Sequence, residues 1–234
     1  MKYALIALAL LFSGAAQAQQ ACPYAAAGQT SGVIPVSQTI VINATYGQVI
    51  DCSAFQFTAT AAIGPMFAIT APNSEAVIKL GIIEGSWVAG TGVDLSNFML
   101  NTLEITALQN LTGTGLYAHN GALAVFDNKI TIGAIRGTLG NGFLAQDPSN
   151  NQTYGFQGNH VEIGQIIYSH ASGIALFAGA IANTFILGPV EHNTVYGCAD
   201  LASPSLPANL KNVWIVNGSN SNGFSAKSNI YAAC

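Results

Sequence analysis

The sequence predicts an all-β chain wound as a parallel β-helix, a single solenoid domain of stacked coils. Three observations carry this prediction. The first is a recurring phrase, Asn-x-apolar-x-apolar, read at Asn101-Thr-Leu-Glu-Ile, Asn128-Lys-Ile-Thr-Ile, Asn159-His-Val-Glu-Ile, Asn183-Thr-Phe-Ile-Leu and Asn212-Val-Trp-Ile-Val, with a shortened copy at Asn229-Ile-Tyr-Ala. The copies start 27, 31, 24, 29 and 17 residues apart, which fits a fixed unit separated by loops of variable length. The second is a glycine followed by an apolar-x-apolar run: Gly92-Val-Asp-Leu, Gly115-Leu-Tyr-Ala, Gly142-Phe-Leu-Ala, Gly173-Ile-Ala-Leu and Gly223-Phe-Ser-Ala. The third is residues 172–187, where three short apolar runs follow one another too closely for ordinary hairpins.

Taken in order, residues 1–18 read as a secretory signal peptide. Lys2 supplies the charge, residues 4–12 the apolar stretch, and Ala16-Gln17-Ala18 the small-x-small cleavage pattern. The stretch is too short for a stable membrane span, and no later run reaches spanning length. The mature chain is therefore expected to be secreted, extracellular or periplasmic, and not membrane-embedded. Residues 19–53 are expected to form an N-terminal cap and an irregular first coil, with strand-like pieces at 39–43 and 47–51. Residues 54–234 are expected to form the parallel β-helix. Within them, 54–84 show apolar pieces but no clear register, and the repeat is clean from residue 97. Asp147-Pro-Ser-Asn-Asn and Ser203-Pro-Ser-Leu-Pro read as loops.

Glycine permits φ > 0 at a sharp corner, and asparagine is the next best residue there. Stacked asparagines can also bond the coils above and below, as side-chain ladders do in other stacked sheets. The alternative is that both residues mark turns of a β-sandwich. Their return at the same place in five successive units favours the helix.

Removing the signal leaves five basic and ten acidic side chains, a net charge of −5, with one arginine, Arg136. Nucleic-acid binding needs clustered basic charge, which is absent. Half of all residues are apolar and they alternate, so the low charged fraction points to packed β structure. Four cysteines in an exported chain favour two disulfides. Of the three pairings, the local one, Cys22–Cys52 with Cys198–Cys234, is expected, because it staples the two ends of the stack, where a repeat protein frays.

The Gly-Ile-x-Leu … Ile-x-Asn-x-Ile pattern of residues 173–186 resembles the right-handed parallel β-helix of the pectate-lyase-like superfamily, over about residues 92–231. That superfamily includes lyases, hydrolases, epimerases, adhesins and phage fibres, so the resemblance speaks for architecture rather than activity. It implies that the Gly-led strand lines a substrate groove. Outward residues of successive coils stack into columns ~4.8 Å apart. One column reads Asp94, Tyr117, Leu144, Ala175, Tyr196 and Ser225; the next reads Ser96, His119, Gln146, Phe177, Cys198 and Lys227. Tyr117, Tyr196 and Phe177 are candidate stacking platforms for sugar rings, with His119, Gln146 and Asp147 as hydroxyl partners. The bland reading is strand propensity and ordinary surface exposure.

On the Asn-led strand, Glu104 and Glu162 hold the same outward position two coils apart, with Thr131 between. Their backbones would be roughly 9.6 Å apart, and inverting glycosidases hold their carboxyls ~6.5–9.5 Å apart. The competing reading is a solvated face with Lys129 partly neutralising two surface glutamates. Neither a calcium-binding acidic cluster nor an Asp-Asp pair is present, and the four histidines make no metal motif. No cofactor or metal is expected. The sequence favours contact with an extracellular or cell-surface polysaccharide or glycan, as a binder rather than a catalyst. A polysaccharide lyase or hydrolase, and a structural or adhesive surface protein, are the alternatives.

Overall fold

The computed structural model describes residues 20–146, 155–177, 179–200, 212–217 and 224–225. They form an all-β parallel solenoid of about six turns. One sheet stacks, in order, Gln20–Ala21, Val49–Ala59, Val77–Glu84, Thr102–Leu111, Lys129–Thr138, His160–Ile163, Thr184–Leu187 and Val213–Val216. The second stacks Ile40–Asn43, Phe67–Ala71, Val93–Phe98, Leu116–His119, Phe143–Gln146, Ile174–Leu176, Cys198–Asp200 and Phe224–Ser225. The first sheet bends midway, so each coil has an Asn-led face, a face beyond the bend, and a Gly-led face. Of the three runs in residues 172–187, the first and last are strands, and Ile181 between them makes an isolated bridge to Gln157.

The period-two pattern places the core. On the Asn-led face Ile78, Leu103, Ile130, Val161, Phe185 and Trp214 stand in register, and all are fully buried. Burying each such side chain stabilises the fold by roughly 1.5–3 kcal/mol. The rings of Phe185 and Trp214 stack at 4.4 Å and 14°. Residues 54–84, whose register was not legible, form full coils. Val77 pairs with Thr102 and Phe67 with Val93, in the same columns as the clear repeats. The strand Val49–Ala59 runs through residues 53 and 54 without a break.

Asn101, Asn128, Asn159, Asn183 and Asn212 form a buried ladder. Each of the first four donates its backbone N–H to the amide oxygen of the next, at 2.9 to 3.1 Å. The ladder asparagines are not themselves left-handed. The residue before each of the first four is: Leu100 (φ 58°), Asp127 (φ 51°), Gly158 (φ 64°) and Ala182 (φ 56°). The asparagine is thus required for its hydrogen bonds. The left-handed turn costs ~1–2 kcal/mol at a residue other than glycine.

The Gly-led corner has a different cause from the one expected. Gly92, Gly115, Gly142 and Gly173 do not adopt positive φ. A Cβ on Gly142 would lie 2.6 Å from the carbonyl oxygen of Gly173, and one on Gly92 2.7 Å from that of Gly115. Glycine is needed there because neighbouring coils approach too closely for a side chain.

Cys22 and Cys52 are disulfide-bonded with their Cα atoms 4.7 Å apart, closing the N-terminal end. Cys198 is also disulfide-bonded, and Cys234, its expected partner, lies outside the described residues. So do the signal segment, Asp147 and Lys227. Among the described residues no helix is long and apolar enough to cross a membrane.

Candidate functional site

The Gly-led strands hold Asp94, Tyr117, Leu144 and Ala175 in one column, and Ser96, His119 and Gln146 in the next. The backbone N–H of Phe177 donates to Ala145 at 2.8 Å, which sets Phe177 beside Gln146. Four adjacent coils therefore bring Asp94, Tyr117, His119, Gln146 and Phe177 onto one face. Two members of the expected columns do not belong there. Tyr196 precedes Gly197 at the corner, where its carbonyl accepts from Gly173, and Ala199 fills the column position beside Ala175. The corner glycine of that coil is Gly197, so the register moves by three residues. Cys198 then pairs with Ile174 and is fully buried, facing the core.

His119 is the centre of the face. Its Nε2 lies 2.7 Å from Asp94 Oδ1, and its Nδ1 lies 3.1 Å from the Asn120 carbonyl oxygen. Both partners are acceptors, so only the doubly protonated ring satisfies both. The Asp94 hydrogen bond accordingly raises the His119 pKa, against burial, which lowers it; the Asn120 carbonyl adds to the rise. The Tyr117 and His119 rings lie side by side, with centroids 4.7 Å apart and planes 27° apart. The result is a half-buried aromatic pair whose imidazole is hydrogen-bonded to a carboxylate, which favours its protonated form.

The Asn-led face carries Asp51, Lys79, Glu104, Thr131, Glu162 and Ile186 in one outward column, so Glu104 and Glu162 do flank Thr131. Neither carboxylate stands alone. Lys79 Nζ lies 3.1 Å from Glu104 Oε2, and His160 Nε2 lies 2.8 Å from Glu162 Oε1. Two shallow concavities of about 340 and 320 Å³ run beside this column. They follow the bend, where Gly133 and Gly164 leave the surface bare. Glycine is obligatory there too, since a Cβ on either would strike the carbonyl of the preceding coil.

Lys79 and the Asp94–His119 bond were not legible as site features, because both depend on register between coils far apart in sequence. Among the described residues, no three His, Cys, Asp or Glu side chains converge to hold a metal. No protein-family model, curated protein or solved structure matches the chain.

Proposed function

We propose that this is a secreted solenoid that binds extracellular or cell-surface carbohydrate along its Gly-led face. The observation that carries the reading is the connected group of Asp94, Tyr117 and His119, with Gln146 and Phe177 on the two coils that follow. A pyranose offers an apolar C–H face for the rings and hydroxyls for the amide, carboxylate and imidazole. An export route agrees with the Cys22–Cys52 disulfide, which is compatible with an oxidising compartment.

Binding is favoured over catalysis by how these groups are already engaged. Both nitrogens of His119 have partners, Glu104 is paired with Lys79, and Glu162 is hydrogen-bonded to His160. A general acid or base must be free to reach the reacting proton. The pectate-lyase-like resemblance supports the ligand class and leaves lyase or hydrolase activity as the second reading. Glycan-array binding that vanishes in Tyr117→Ala supports the proposal; unchanged binding in that variant removes it. Release of unsaturated or reducing sugar from a uronic-acid polymer would replace it with the catalytic reading.

A further inference from the structure

At the outer edge beyond the bend, one register position runs through four coils: Asn110, Gly137, Tyr168 and His192. All four are left-handed, with φ of 56°, 62°, 60° and 54°. Glycine suits such a position best, asparagine and histidine tolerate it, and tyrosine does not. Yet the last two coils place rings there, nearly parallel at 12° with centroids 5.1 Å apart. Trp87, itself left-handed at φ 58°, lays its ring over Gly137, where a Cβ would come within 3.1 Å of it. Trp87 follows a strand three coils before Tyr168 and reaches across the Asn110 coil, so the end of its ring lies at the level of Gly137, one coil from Tyr168. All three rings stay in solvent: Trp87 is 48% exposed, Tyr168 56%, and His192 is exposed. Strained backbone that presents exposed rings is a signature of a site rather than of packing.

We infer that Trp87, Tyr168 and His192 form a second carbohydrate-contact edge, distinct from the Gly-led face, for a chain of neutral hexopyranoses. The inference rests on the proposed function for its ligand class but on none of its residues. Two rings stacked one coil apart, with an indole over the coil beside them, suit a polymer that repeats flat C–H faces. Asn110 and Glu84, joined by a 3.0 Å hydrogen bond, supply polar partners on the same edge. The mature chain's net charge of −5 disfavours a polyanion. A ladder that merely ties coils together would gain more from buried rings in relaxed backbone.

The chain has two tryptophans, and Trp214 is fully buried, so acrylamide quenching reports on Trp87. Cellohexaose, maltohexaose and mannohexaose, titrated into the intact disulfide-bonded protein, are the probes, with polygalacturonate as the charged contrast. At least one neutral hexaose is expected to shield Trp87. Tyr168→Asn, which fits the left-handed site, is expected to weaken that binding by about tenfold or more while leaving Tm unchanged or higher. Absence of shielding by all three overturns the inference. So does a Tyr168→Asn protein that binds as before, or a self-association that Tyr168→Asn abolishes, which would make the edge a contact between copies. The two carbohydrate readings fail separately: Tyr117→Ala alone losing affinity leaves only the Gly-led face, and Tyr168→Asn alone losing it leaves only this edge.

Discussion

Replacing Asn159 with alanine tests the asparagine ladder at its centre. The Asn159 Oδ1 accepts the Asn128 backbone N–H at 3.1 Å and the Asn128 Nδ2–H at 2.9 Å. Its Nδ2 donates to the Val125 carbonyl and to Asn183 Oδ1, both at 3.0 Å. Alanine removes all four bonds. Asn128 Nδ2 keeps its 2.8 Å bond to Phe98, and Asn183 Oδ1 keeps the backbone N–H of residue 159. The Asn128 backbone N–H loses its amide acceptor in a site where Asn128 is almost fully buried. An orphaned buried donor costs about 1–3 kcal/mol, and each other lost bond about 0.5–1.5. The sum is about 2.5–7.5 kcal/mol. In urea, followed by far-ultraviolet circular dichroism, this is a midpoint lower by roughly 1–3 M. Thr131→Ala, at an outward position, should stay within about 0.5 kcal/mol of the parent. A loss below about 1 kcal/mol for Asn159→Ala would refute the argument that these asparagines hold neighbouring coils together.

Three further outcomes follow from the geometry. The His119 pKa is raised in the fold, so its stabilisation is complete below the unfolded value of about 6.5 and is lost as pH rises through the folded value. Urea midpoints should fall between pH 5.5 and pH 8.5 by an amount equivalent to under about 1 kcal/mol, given partial exposure; a His119→Gln protein with the same slope would contradict this. Gly133→Ala should destabilise by more than the about 1–3 kcal/mol of ordinary overpacking, since the new methyl strikes the Thr106 backbone rather than a movable side chain; a parent-like Tm would count against it. Reducing Cys22–Cys52, 30 residues apart, should cost about 3.5 kcal/mol in the chain-entropy picture. Cys22→Ser with Cys52→Ser should reproduce that loss, and an unchanged midpoint would show that the N-terminal end holds without its staple.

The solenoid was legible because its repeat is one of chemistry rather than of exact length. The phrases led by Asn101, Asn128, Asn159, Asn183 and Asn212 became one buried ladder, and the x positions between apolar residues became outward columns. Legibility failed where the defining residue is absent. No asparagine opens the coils at Val49 and Val77, where Ser74 Oγ and the Ala76 N–H instead donate to Asn101 Oδ1 at 3.1 and 2.8 Å. It failed again at Tyr196, because the glycine of that coil precedes a cysteine and an alanine rather than a large apolar residue. The aromatic edge was hidden for another reason: left-handed backbone is carried there by Tyr168, whose identity signals nothing about φ, and by a single histidine rather than a repeated glycine or asparagine.

Two rows of left-handed positions run along the stack, and the contrast between them separates scaffold from surface. Leu100, Asp127, Gly158 and Ala182 share a row and share no chemistry. What they share is the ladder asparagine that follows, so any side chain that survives the turn is accepted, and the buried hydrogen bonds offset the ~1–2 kcal/mol it costs. In the outer row, Asn110 and Gly137 meet the backbone requirement with suitable residues, so that row has low-strain solutions within this chain. Tyr168 and His192 depart from them at consecutive coils and stack with each other in solvent. Stability alone would not select a strained, exposed tyrosine ring where glycine serves one coil away and asparagine two. The outer row is therefore the place where a substitution toward asparagine should separate stability from binding.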